Sequence, residues 1–334
     1  MSTTAPREMT AHNTLHALLF QSTSAEYTAL CIQAYQLARH ALRQRLESRT
    51  FRNPAVIFDL DETVFDNSAY QAWQLRNGTN YHDDSWNAWC NAAESEAVPG
   101  ALEFVRFVKE EGATPFFITS RNNITRAATL ANLNALGALS DEDLENEKAW
   151  MKDSNPSILP ENTRLFMKRM LIDAQGKPIP LLTNGPSGDR PWSMDNKFDH
   201  RMWVSGWRGY EIILSVGDNL ADYAEYYGQV AGKTASIDQR HASVLQDAAL
   251  FGRDFVLIPN ATYGGWLRAF EGNQLGSSDE LALTSFPVRQ GLQEATKEFI
   301  YANPSAGQGE PTETSITSKG PKFDKANGLR IWKE

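Results

Sequence analysis

The stretch Pro54-Ala55-Val56-Ile57-Phe58-Asp59-Leu60-Asp61-Glu62-Thr63 changes character within one residue. Ala55 to Phe58 is a short apolar run of the kind that fills a strand buried on both faces, and acids begin at Asp59 with no polar transition. Such a strand delivers Asp59 and Asp61 to its carboxyl end. Side chains two apart in extended backbone share a side, so both acids would address one point beyond the strand.

Working outward, the pattern recurs. Pro115-Phe116-Phe117-Ile118 stops at Thr119-Ser120-Arg121, Glu211 to Val216 stops at Gly217-Asp218-Asn219, and Phe255-Val256-Leu257-Ile258 stops at Pro259-Asn260. Between these runs, apolar residues recur at three- and four-residue steps. Tyr27, Leu30, Cys31, Ala34, Ala38, Ala41 and Leu42 predict a helix from Glu26 to about Leu46, Ala101 to Glu110 predicts another, and Leu130, Leu133 and Leu136 mark a third. Strands alternating with helices predict an α/β fold, a Rossmann-like parallel sheet with helices on both faces. Leu181-Leu182-Thr183 reads as a further short strand, and Gln290 to Ala302 as a late helix.

Three units follow from this pass. Residues 1–50 form a helical segment contributing to a cap, 51–270 form the core, and 271–334 form a partly disordered extension. The core carries an aromatic-rich helical insertion at about 66–98, which completes the cap, and a polar insertion at about 140–195. With 334 residues, 41% of them hydrophobic, the chain has ample material for a buried core. Subtracting 41 acidic from 32 basic residues leaves −9, with the basic residues scattered, which excludes a polyanion binder acting through counterion release. No apolar run approaches the roughly 20 residues of a spanning helix. Residues 1–13 lack the basic-then-apolar run of a secretory signal, and the compartment stays open. Cys31 and Cys90 allow at most one disulfide, and Cys31 on its helical stripe reads as a buried hydrophobe.

In parallel sheets ligands sit at the carboxyl ends of strands, so Asp59, Asp61, Thr119, Ser120, Asp218 and Asp222 should converge. Crowded carboxylates repel one another unless a hard cation neutralises them, and oxygen-only ligation favours magnesium. A bare carboxylate can attack phosphorus while a neighbouring carboxylic acid protonates the leaving oxygen. Thr119 and Ser120, at a strand end before a helix, offer hydroxyls and N–H groups to a phosphoryl oxygen.

Phe58 to Thr63, Ile118 to Arg121 and Val216 to Asp222 resemble motifs one, two and four of the haloacid dehalogenase superfamily. The stretch Asp59 to Tyr70, Trp86-Asn87-Ala88-Trp89, Val98-Pro99-Gly100 and Ile258 to Trp266 resemble the class C nonspecific acid phosphatases, the lipoprotein-type acid phosphatases and 5′-nucleotidases. The resemblance spans about Leu15 to Phe270. It implies that Asp59 is nucleophile and metal ligand, and that Asp61 is the proton donor and supplies a carbonyl to the metal. It also implies that Asp218 and Asp222 serve the metal and that Thr119 holds the phosphoryl group, with Ser120 and Arg121 beside it. Trp86 and Tyr263 match a pair that sandwiches a substrate ring; the alternative is two buried rings. Lys197, with Arg201 one turn on, is the candidate for the motif-three lysine, ahead of Lys168 and Lys177, although its immediate surroundings depart from the family's. The implied activity is magnesium-dependent hydrolysis of nucleoside 5′-monophosphates or other aromatic phosphomonoesters through an aspartyl-phosphate. The alternatives are a non-hydrolytic nucleotide-binding protein and a phosphotransferase. The implied partner is a small phosphomonoester rather than a nucleic acid polymer, with a homo-oligomer left open; the relatives are mostly secreted or surface-anchored.

Overall fold

A computed structural model describes residues 15–151, 163–168, 171–172, 178–179, 183–184, 191–192, 197–230, 232–274, 323–326 and 329–332. The late helix expected at 290–302, Lys177 and Leu181-Leu182 lie outside them.

Five strands form one parallel sheet: β1 (Pro54–Phe58), β2 (Thr114–Asn122), β3 (Leu165–Lys168), β4 (Glu211–Gly217) and β5 (Phe255–Leu257), in the order β5-β4-β1-β2-β3. The apolar runs are continuous because both faces are covered. Val56 and Phe58 of β1 face a large core containing Phe104, Phe117, Leu130 and Leu214, whereas Ala55 and Ile57 face a smaller one with Phe116, Phe166 and Val204. β1 lies at the centre, with β2 on one side and β4 on the other, so its carboxyl end opens where the connections diverge.

Helices α1 (Leu15–Thr23) and α2 (Ala25–Ser48) divide the N-terminal segment. Ser24 caps α2 by accepting from the Tyr27 N–H at 3.0 Å. Tyr27, Cys31, Tyr35, Ala38, Ala41 and Leu42 of α2 join the main core, while Leu30, on the expected stripe, is exposed. α1 instead joins the insertion: Leu15 and Leu18 pack on Ala72 and Leu75 of α3 (Ser68–Arg76). With α4 (Asp83–Ala92), whose Trp89 and Cys90 bury against Ala69 and Tyr70, these form the cap. Cys31 and Cys90 are both free thiols. The helices α5 (Ala101–Glu110), α6 (Arg126–Ala135), α7 (Asp141–Met151), α8 (Lys197–Met202), α9 (Ile237–Gln246) and α10 (Gly265–Gln274) complete the elements used below.

Two expectations need correction. The stretch read as an insertion at 140–195 contributes a strand of the central sheet, β3, whose apolar part is only Leu165-Phe166-Met167, too short to stand out as a pattern. Thr183, the last residue of the expected strand Leu181-Leu182-Thr183, pairs not in the central sheet but with Trp192, in a separate ladder of Thr183–Asn184 with Pro191–Trp192. In addition β2 does not stop at Thr119 but runs on to Asn122, with its register against β3 shifting between those two residues. A short 3-10 turn then intervenes before α6.

Gly100, at the N-terminus of α5, has φ +88°, and a Cβ there would lie 3.0 Å from the Tyr35 ring, whose hydroxyl donates to the Thr63 carbonyl at 2.5 Å. Gly100→Ala is expected to cost about 1–3 kcal/mol, from strain at positive φ and from overpacking. Calorimetry should show a melting temperature lower by several degrees; an unchanged value would refute this account.

Candidate active site

At the end of β1 the Asp59 N–H donates to the Val216 carbonyl at 3.0 Å, holding the acid in line with β4. The chain then folds back: the Leu60 carbonyl accepts from Thr63, Val64 and Phe65, and Glu62 sits at φ +60°. This turn sends the two aspartates to different partners. Asp59 meets Thr63 Oγ1 at 3.3 Å and the ammonium of Lys197. Asp61 Oδ1 accepts from Asn67 Nδ2 at 3.0 Å and from Arg121 Nε at 2.8 Å, with Arg121 Nη2 in ion-pair contact at 2.8 Å, while its Oδ2 accepts from Thr119 Oγ1 at 3.3 Å.

The carboxyl end of β4 supplies the rest. Gly217 allows a close approach, since a Cβ there would overlap the Asp222 carboxylate. Asp222 Oδ2 accepts from the Asn219 N–H at 3.0 Å and Oδ1 from Lys197 Nζ at 2.8 Å. Asp218 accepts from Asn260 Nδ2 at 2.7 Å. Carboxylate oxygens of Asp59, Asp218 and Asp222 all lie within 4.8 Å of one another. Burial pushes the Asp59 carboxyl up to about 7 against the pull of Lys197, with Asp222 and Asp61 adding to the rise. Burial, then Asp222 and Asp59, raise Asp218 well above the usual range. Lys197 is driven the other way: burial opposes its charge, but Asp222 and Asp59 outweigh it and hold it protonated. Three crowded oxygen donors whose charge the single Lys197 cation cannot neutralise fit a hard divalent cation.

Of the candidate residues, the structure thus brings together Asp59, Asp218, Asp222 and Lys197, and places Asp61 and Thr119 beside them. Lys168 is exposed on β3. The Asp61 side chain stands outside the carboxylate triad. Ser120 is exposed, because the continuing strand points it away from the buried Thr119. Arg121, expected at the substrate, is 1% exposed and committed to Asp61 and to Asn67 Oδ1 at 3.2 Å, since a buried guanidinium needs an anion. Trp86 is half-buried with Arg121 over its ring at 5.6 Å, and Tyr263 is exposed on its loop; the two rings make no contact with each other among the described residues.

The sequence reading missed Asn67. Its Oδ1 accepts from Trp89 Nε1 at 2.8 Å, Ser95 Oγ at 3.1 Å and Arg121; its Nδ2 donates to Asp61 and to Glu62 Oε2 at 3.3 Å. An Asn before a helix normally reads as a cap, yet this one makes no side-chain cap to α3. Glu62, fully buried, also accepts from the Asn67 N–H at 3.1 Å and Gln71 Nε2 at 3.3 Å.

The family model described as HAD superfamily, subfamily IIIB (acid phosphatase), matches residues 2–163. The class C acid phosphatase from Bacillus anthracis superposes with a TM-score of 0.60 at 26% identity, covering 86% of this chain and 97% of its own. The same enzyme with tungstate bound gives 0.59 at 26% identity, over 88% and 97%. Sheet order, strand-end aspartates and these likenesses define a phosphatase of the haloacid dehalogenase superfamily. Within that superfamily the chain is similar to the acid phosphatases of the subfamily IIIB type, by the family model over residues 2–163 and by the two superposed structures over most of its length.

Two outcomes are expected. Asn67→Ala removes the shared acceptor of Trp89, Ser95 and Arg121, and should cost about 2–4 kcal/mol in denaturant unfolding together with at least a tenfold loss of kcat; a variant with full kcat would detach Asn67 from the site. The second concerns pH. The raised Asp59 pKa means that the metal-free fold keeps a proton the unfolded chain gives up near 3.8, so this contribution to stability is lost as pH rises towards about 7. A divalent cation competes with that proton, so its gain in melting temperature should be larger at pH 7.5 than at pH 5. Equal gains at both would contradict the proton competition.

Proposed function

We propose that the chain hydrolyses small phosphomonoesters through a phosphorylated Asp59, with magnesium as the divalent cation. The observation that carries this reading is the pairing of Lys197 with both Asp59 and Asp222 beside Asp218, an arrangement of one nucleophilic carboxylate, one fixed cation and two further acids.

Asp59, Asp218 and Asp222 would hold the metal, with the Asp61 backbone carbonyl; bound there, it neutralises phosphoryl charge and orients the ester. An Asp59 oxygen attacks phosphorus and the bond to the leaving oxygen breaks. Asp61 gives that oxygen its proton. Because Asp61 Oδ1 is already occupied by Arg121 and Asn67, the transferable proton belongs on Oδ2, the oxygen facing Thr119. Lys197 stays cationic throughout and stabilises the charge that spreads over the phosphoryl oxygens. Asp61, now a carboxylate, takes a proton from the water that attacks the aspartyl-phosphate, releasing phosphate and restoring Asp59.

Trp86, half-buried beside the Asp61–Arg121 pair, and the exposed Tyr263 support a preference for leaving groups with an aromatic ring, including nucleoside 5′-monophosphates. The test is phosphate release from p-nitrophenyl phosphate, a nucleoside 5′-monophosphate and a sugar phosphate, with magnesium or with chelator. Asp59→Asn and chelation should each abolish release, Lys197→Ala should lower kcat/KM by about 10²–10³-fold, and Lys168→Ala should match wild type. Persistent turnover in Asp59→Asn defeats the mechanism, and a sugar phosphate used as well as the nucleotide defeats the ring preference.

A further inference from the structure

A cleft of about 360 Å³ opens beside Asp218 and Asn260 and extends between the N-terminal helices and the loop before α10; Gln21, Asn219, Arg240 and Trp266 line it. Neither Trp86 nor Tyr263 lies on its wall, so it is not the space between those rings. Its chemistry is unusual in one respect. Arg240 of α9 is only 8% exposed, yet its one protein partner among the described residues is the Tyr227 carbonyl, reached from Nη1 at 2.5 Å. A buried guanidinium normally faces an anion. Here no carboxylate of the described residues pairs with it, and burial, followed by the nearby cation Arg268, lowers its pKa.

The surroundings keep that guanidinium uncovered. A Cβ at Gly265, the first residue of α10, would lie 2.8 Å from Arg240 Nη1 and 2.9 Å from Asn219 Oδ1, so only glycine lets the guanidinium lie against the backbone there. The preceding Gly264 adopts φ +140° and likewise adds no side chain. The first turn of a ten-residue helix thus meets the cleft with free N–H groups and its positive end. Independently, Gln21 of α1 is 4% exposed and its amide nitrogen has no partner, although its Oε1 accepts from Thr262 at 3.5 Å. One unpaired cation, one unused amide donor and one helix N-terminus surround the same space.

We propose that this cleft binds a second anionic group, a phosphate or a carboxylate, carried on the leaving group of the phosphomonoester. The reacting phosphoryl group lies at Asp59, whose carboxylate is within 4.8 Å of that of Asp218 on the cleft wall, and the distal anion lies at Arg240. Trp266 and Phe20, both exposed, line this cleft, and the part of the leaving group that carries the distal anion passes them while a nucleoside base stays at Trp86 and Tyr263. The enzyme accordingly selects bis-anionic esters over esters with a neutral leaving group. This rests on the phosphomonoesterase reading above.

The test compares matched pairs: phenyl phosphate with 4-carboxyphenyl phosphate, and adenosine 5′-monophosphate with adenosine 3′,5′-bisphosphate, in wild type, Arg240→Met and Arg240→Lys. Within at least one pair the wild type should favour the bis-anionic member by tenfold or more, through KM, as one charge-assisted contact supplies about 10–100-fold. Arg240→Met should bring that ratio near one and Arg240→Lys should restore part of it, which a purely structural arginine would not do. The favoured pair tells carboxylate from phosphate. Ratios near one in wild type in both pairs, or a preference that survives Arg240→Met, overturn the proposal. If Arg240→Met does not fold, Gly265→Ala, which pushes the guanidinium aside, should lower the ratio in the same direction. If nothing releases phosphate, the hydrolase reading fails separately; titration of Asp59→Asn with the two adenosine nucleotides still decides the cleft, tighter binding of the bisphosphate supporting it and equal binding refuting it.

Discussion

Carboxylate repulsion at the ends of β1 and β4 is the constraint around which the rest of this fold is arranged. Asp59, Asp218 and Asp222 crowd within 4.8 Å, and Asp61 and Glu62 follow on the same loop. Against these five acids the structure sets three cations, Lys197 and Arg121 in ion pairs and Arg201 behind Asp222, each brought from a distant part of the chain. Lys197 starts α8, and the Arg201 guanidinium one turn on donates to the Asp222 carbonyl at 2.6 Å, pinning that turn to the acids. Three unit charges cannot balance five, and burial first, with the neighbouring acids adding to it, displaces the pKa values of Asp59, Asp218 and Glu62 upward. An assembly left short of positive charge in this way holds protons or a divalent cation, and the chemistry of phosphoryl transfer uses the second.

The division of labour between Asp59 and Asp61 comes from backbone geometry. Extended chain would have turned both side chains the same way, as the alternation of a strand requires. The turn that starts at Leu60 and places Glu62 in the left-handed region breaks that alternation, at a cost of about 1 kcal/mol for a residue with a Cβ. Hydrogen bonds from Asn67 and Gln71 to the Glu62 carboxylate hold the turn in place. One acid is thereby left against a lysine and the other against an arginine.

The parallel sheet was legible in the sequence because its central strands are buried on both faces, which makes Ala55 to Phe58 and Phe116 to Ile118 uninterrupted apolar runs, and Ile212 to Val216 a run broken only by Ser215, all ending in polar residues. β3 escaped because an edge strand of four residues carries too little pattern. The acids were legible through their places after those runs. Arg121 was assigned to the substrate because its position after Thr119 reveals direction in a strand but not the later register shift of β2. Asn67 was invisible for a different reason: its side-chain partners lie 5, 6, 22, 28 and 54 residues away, and no local spacing encodes such a set of contacts.

Asn67 also decides how the cap behaves mechanically. Its side chain ties α4, through Trp89, to the catalytic loop, through Asp61 and Glu62, and to β2, through Arg121, while Ser95 and Asn132 clasp each other at 3.1 and 3.0 Å on the far side of the insertion. An element stitched to the sheet at both ends has no hinge about which to swing. The insertion thus stands as a wall tied beside the catalytic loop at one end and beside α6 at the other.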